Sequence, residues 1–103
     1  MVPTLEQLRL QCRIDDEESD ELLTLMAGAA VRKAENFINR KLYDETVPDT
    51  DEDGLLISDD VTLALLLLVG HWYSNREAAT EIQQTAIPFG FTALLEPYRF
   101  IPL

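Results

Sequence analysis

The run VTLALLLLV, Val61 to Val69, constrains this chain more than any other stretch. Its apolar residues fall on every side of a helix, so they must be covered on every side. A bilayer would provide such a cover, but spanning one takes about 20 consecutive apolar residues. Here Gly70, His71 and Trp72 follow at once. The run therefore reads as a buried core helix, wrapped by its own chain or by a neighbour. Ser58 stands before Asp59 and Asp60 and supplies an N-cap with acids in the first turn. That places the helix from Asp59 to about Ala79.

Two further helices precede it. Thr4 caps the first, Thr4 to Cys12, and Gln7 stands three residues on, as in a capping box. RIDDEESDE then brings six acids between Asp15 and Glu21, with Asp15, Asp16 and Ser19 as alternative caps. From there a stripe of Leu22, Met26, Ala29, Ala30, Ala34, Phe37 and Ile38 predicts a long helix to about Leu42. Its centre, AGAA, leaves room for a partner helix to approach closely. Arg32, Lys33, Arg40 and Lys41 suit the negative end of its dipole. Tyr43 to Asp53, with Pro48 and six acids, reads as a solvated loop. Near the C-terminus a Pro-Phe-Gly turn precedes one or two helical turns at Thr92 to Glu96, which Pro97 ends. With no convincing strand pattern, the fold class is all-α: a short N-terminal helix, two long helices and a short helical tail, in one domain spanning residues 1–103.

The formal charge of −11, with only eight Lys and Arg, argues against a protein that grips DNA through its phosphates. Cys12 is the single cysteine, so no disulfide forms within the chain and a reducing compartment is expected. MVPTLEQLRL lacks the basic start and apolar core of a signal peptide, which makes the cytoplasm the expected place of synthesis.

Three groups of residues invite a functional reading. DTDEDGLLISDD fits the calcium-loop template, with Asp49, Asp51 and Asp53 at positions one, three and five, Gly54 at six and Asp60 at twelve. Position twelve usually holds a bidentate Glu, Pro48 interrupts the incoming helix, and no second loop pairs with this one. A calcium-binding acidic helical module is thus the alternative reading, and an acidic connection turning at Gly54 is the plainer one. His71 and Ser74 lie one helical turn apart, but no strand-to-helix elbow presents the serine and no glycine-rich phosphate loop exists. No enzymatic activity and no cofactor are expected. HWYSNREA sets Trp72 and Tyr73 beside Arg76, residue types that favour protein interfaces. Either the rings complete the monomer core or they meet a neighbouring subunit. The apolar excess of the third helix favours self-association.

RIDDEESDELLTLMAGAAVRKAENFINRKL, DVTLALLLLVGHWYSNREA and PFGFTALLEPYR, in that order, resemble the small head-to-tail connector proteins of tailed bacteriophages and prophages. These are also called adaptor, head-completion or DNA-packaging proteins. The resemblance runs from about Leu8 to Arg99. It implies an all-α subunit that closes with its copies into a ring of about a dozen by heterologous contacts. The ring would sit between the portal protein and a tail-side completion protein. DNA would pass through without sequence-specific binding and without any membrane. The implied locations are the bacterial host cytoplasm during assembly and the virion neck. No catalytic residues carry over. The interface candidates are Trp72, Tyr73 and Arg76, with Phe89 and Phe91 of the last block.

Overall fold

The structure is a computed structural model and describes residues 2–15, 17–75 and 88–100, without the side chain of Asn75. Helix α1, Leu5–Cys12, opens with the full capping box. The Thr4 hydroxyl accepts from the Gln7 amide at 3.1 Å, and the Gln7 side chain accepts from the Thr4 amide at 3.0 Å. It closes at Arg13, which adopts the left-handed region (φ 59°) and donates its amide to Arg9 and Leu10.

Helix α2, Asp20–Ile38, starts later than its acids suggest. Ser19 stands at the cap position but makes no capping bond. Its Oγ lies 3.5 Å from the Tyr73 hydroxyl instead. Asp20 receives the Arg9 guanidinium as a fork, Nε at 3.0 Å and Nη2 at 2.5 Å, which ties α1 to the head of α2. The helix also ends earlier than about Leu42, because Asn39 turns left-handed (φ 57°). Asparagine tolerates that region better than most residues, and the turn releases Lys41 to Tyr43 from the helix.

The next segment is a strand pair rather than a plain loop. β1, Leu42–Tyr43, and β2, Leu55–Leu56, run parallel, with Leu42 opposite Leu55 and Tyr43 opposite Leu56. The amides of Leu55 and Ile57 donate to the carbonyls of Lys41 and Tyr43, each at 2.9 Å. Arg40 braces the segment between them, donating to the carbonyls of Asp53, Gly54 and Tyr98. The basic residue expected to answer the helix dipole thus holds the acidic loop and the C-terminal turn together.

Helix α3, Asp59–Asn75, is the centre of the molecule and packs against α1, α2 and the C-terminal helix. Val61, Ala64, Leu65, Leu68 and Val69 are fully buried. Most of the helix is therefore covered by its own chain. The strip through Leu63, which is 47% exposed, with half-buried Leu66, Leu67 and Gly70, stays open. Its expected end near Ala79 lies outside the described residues, as does most of the expected loop from Thr80 to Phe89. Helix α4, Phe89–Leu95, begins directly after Pro88, so the anticipated Pro-Phe-Gly turn is a helix start. The α-helix stops at Leu95 with Glu96 as its C-cap, directly before Pro97 as expected, and Pro97 itself sits in a 3₁₀ turn, Glu96–Tyr98, early enough that its missing N–H costs nothing. The core gathers Leu8, Leu23, Ala27, Ala30, Ala34, Ile38, Phe91 and Leu95 around α3. No described helix is long and apolar enough to cross a membrane.

Candidate functional site

The C-terminal half of α3 carries the residues that the sequence singles out. His71, Trp72 and Tyr73 are all half-buried, and Ser74 is exposed. Trp72 packs against the core of its own subunit. Tyr73 reaches Ser19 at the head of α2. Both rings thus have intramolecular partners, and each keeps only part of its surface for a neighbour. Arg76 lies outside the described residues.

Beside these residues runs an open cleft of about 470 Å³ lined by Gln11, Cys12, Arg13, Leu67, Gly70, His71, Ser74 and Pro88. Gly70 lets α1 lie close, since a Cβ there would stand 3.1 Å from the Gln11 side chain. Burial pushes the Cys12 thiol up from its ordinary value, away from the reactive thiolate. His71 and Ser74 do share this cleft, as their spacing implies.

Phe89 and Phe91 have opposite fates although a single residue separates them. Phe91 is fully buried, its ring centroid 6.1 Å from that of Phe37 at 51°. The Arg99 guanidinium carbon lies 5.3 Å from the centre of the Phe37 ring, on that ring's face. Phe91, expected among the interface residues, is therefore core in this subunit, because α4 turns that side of itself to α3 and α2. Phe89 is 86% exposed. Gly90 explains how the first turn of α4 sits so near α3: a Cβ there would stand 2.9 Å from Leu67 Cδ1. Phe89 thus projects from a turn held tightly against the open strip of α3. No periodicity marked it, since the turn is only seven residues long.

The calcium-template residues are not gathered around a point. Asp49 and Asp53 are exposed, while Asp51 accepts the Tyr43 hydroxyl at 2.7 Å. That bond pushes the Tyr43 phenol up. Asp60 belongs to the first turn of α3, where it accepts from the Ser58 hydroxyl, the Tyr98 hydroxyl and the Val61 amide. The hydroxyl bonds from Ser58 and Tyr98 hold its carboxyl below the usual range. Gly54 is explained by packing, since a Cβ would stand 2.6 Å from the Tyr43 ring. Among the described residues no group of three or more His, Cys, Asp or Glu stands within reach of one metal ion.

The described surface is thus marked by a mostly buried helix with an open apolar strip and by a projecting phenylalanine beside it. The model of the phage gp6-like head-tail connector proteins matches residues 3–99. The chain belongs to that family. No curated protein and no solved structure matches it. The match takes in all four described helices, α1 to α4, including the whole of α1. The head-tail connectors are a structural family of the phage particle, not an enzyme family.

Proposed function

We propose that this connector closes with copies of itself into a ring of about a dozen subunits, each contributing two different contact patches. The ring sits in the virion neck between the portal protein and a tail-side completion protein. It extends the channel through which DNA enters during packaging and leaves on ejection. Membership of the head-tail connector family supports the role. The single structural observation that carries self-assembly is Phe89, a large apolar side chain 86% exposed beside the open strip of α3. Exposing such a ring is costly, and covering it with a neighbour contributes about 1.5–3 kcal/mol. Trp72 and Tyr73 stand on the same helix as that strip and, with Arg76 next in sequence, complete the proposed contact; Phe91 supports it from beneath. The charge of −11 suits a lining along which DNA slides, because tight binding needs phosphate-attracting cations.

The test is light scattering coupled to size exclusion, followed by electron microscopy of the protein with and without its portal. Ring-shaped particles that Phe89→Ser abolishes are the expected result. A monomer that stays monomeric with the portal present overturns the reading.

A further inference from the structure

Helix α2 has a second face. On the side away from Leu23, Ala27 and Ala30, the residues Glu21, Thr24, Leu25, Gly28, Ala29 and Arg32 are all exposed, Leu25 by 71%. Grooves flank Leu25 on both sides, one bounded by Asp20, Glu21 and Thr24 and one by Thr24, Gly28, Ala29 and Arg32. A Cβ on Gly28 would have no atom within 4 Å, so the backbone there lies open. Among the described residues neither Glu21 nor Arg32 is engaged in an ion pair.

These six positions map onto themselves when the helix is reversed about the point between Met26 and Ala27. Position 21 falls on 32, 24 on 29, and 25 on 28. A second α2 laid antiparallel therefore sets Glu21 against Arg32 and Leu25 over Gly28, each twice. Outside them Asp20 falls opposite Lys33, again with opposite charge. The small residues permit the close end of the usual interaxial range, about 8 Å, and the two helix dipoles oppose one another favourably.

We infer that the outer face of α2 is a two-fold docking surface for a second copy of this chain. The pair goes beyond the connector ring, because a ring contact joins two different patches whereas this contact uses one patch twice. A single helix face is smaller than the roughly 800 Å² per partner of a standard interface. The pairing is accordingly weak and concentration-dependent.

Sedimentation velocity of the full chain, at fixed ionic strength and rising concentration, tests it. The unmodified chain is expected to show a monomer–dimer equilibrium. Glu21→Arg and Arg32→Glu are each expected to weaken it at least about tenfold, because each sets like charges face to face twice. The double variant restores it. The two single changes shift net charge in opposite senses, so a mere net-charge effect would move them in opposite directions. All six positions are exposed, and far-ultraviolet circular dichroism checks that the variants fold. Absence of any dimer in the unmodified chain overturns the inference, as do single variants that pair normally or a double variant that does not recover. Rings, read in the same runs as much heavier species, should be indifferent to these charges. Rings without pairs sink this inference alone, and pairs without rings, even with the portal, count against the proposed ring alone.

Discussion

The hydroxyl of Tyr98 donates to the carboxylate of Asp60, joining the C-terminal 3₁₀ turn to the first turn of the central helix across 38 residues of sequence. Around this bond the Arg40 guanidinium reaches the Tyr98 carbonyl at 3.3 Å, and the Phe100 amide donates to the Ile38 carbonyl at 2.7 Å. The tail is thus fastened to both long helices. Tyr98→Phe keeps the ring and removes the bond. Hydrogen bonds to charged groups contribute about 1.5–3 kcal/mol, and partial exposure discounts this to about 1 kcal/mol. For a chain of this size the midpoint of thermal unfolding should fall by about 4–8 °C. An unchanged midpoint would show that the bond contributes nothing net.

The same pair sets a pH dependence whose sign is fixed. The Ser58 and Tyr98 hydroxyls hold Asp60 below the ordinary carboxylate value, so its contribution is present above the unfolded value of about 4. It is lost as pH falls through the folded value. Asp20 behaves alike, because Arg9 lowers it. Tyr98 is raised by its bond to Asp60, so its contribution is present below about pH 10 and is lost above it. General repulsion in a chain of charge −11 runs the other way in acid, since protonation relieves it. The difference between the unmodified chain and Asp60→Asn isolates the bond. That difference in midpoint should be full at pH 7 and shrink as pH drops below about 4. A constant difference across the acid range would contradict the assignment.

Phe89 and Phe91 separate folding from assembly. Phe91→Ala empties the contact with Phe37 and should cost about 3–5 kcal/mol, a large share of the roughly 5–15 kcal/mol that holds a domain together. Phe89→Ser removes a ring that is 86% exposed and should change stability by no more than about 0.5 kcal/mol. Chemical denaturation reads both. If Phe89→Ser proves as destabilising as Phe91→Ala, the ring packs within the subunit and cannot carry the proposed neighbour contact.

These contrasts show where the sequence was readable. The capping box of α1 was legible because it needs only Thr4 and Gln7 at a fixed spacing, and α3 was legible because eight of nine consecutive positions, Val61 to Val69, are apolar. The end of α2 was missed although Asn39 offers the left-handed turn, since Leu42 prolongs the apolar stripe past it. The β1–β2 pair left no alternation to read, with two residues per strand. The exposure of α3 was overestimated because α4, which covers one side, starts at Phe89, earlier than its apolar pattern indicates. For the candidate site, Trp72 and Tyr73 were found by residue type, but their division between core and surface depends on which way α3 is turned. Phe91 looked like Phe89 in sequence, and only the direction of a two-turn helix distinguishes them. The reversible charge pattern of α2 stood in plain sight from Glu21 to Arg32, yet it acquires meaning only once the opposite side is known to face the core.

Gly54 and Gly28 provide a last test, in which the same substitution should act with opposite signs. At Gly54 an added Cβ would stand 2.6 Å from Tyr43 Cε2 and 2.9 Å from Val47 Cγ1. The Tyr43 ring cannot swing aside freely, because its hydroxyl is tied to Asp51 at 2.7 Å. Asp51 Oδ2 itself would lie only 3.1 Å from the new carbon. Gly54→Ala must therefore move the ring, the loop or β2, at a cost of about 1–3 kcal/mol. Gly28 sits within α2 with open space around it, so Gly28→Ala should stabilise the subunit by up to about 1 kcal/mol through helix propensity alone. Thermal melts of the two variants at a dilution where the chain is monomeric check both signs. A stabilising Gly54→Ala would mean that Tyr43 is looser than its bond to Asp51 implies. A destabilising Gly28→Ala would mean that this face of α2 is already covered within the subunit, which would remove the surface on which pairing between copies depends.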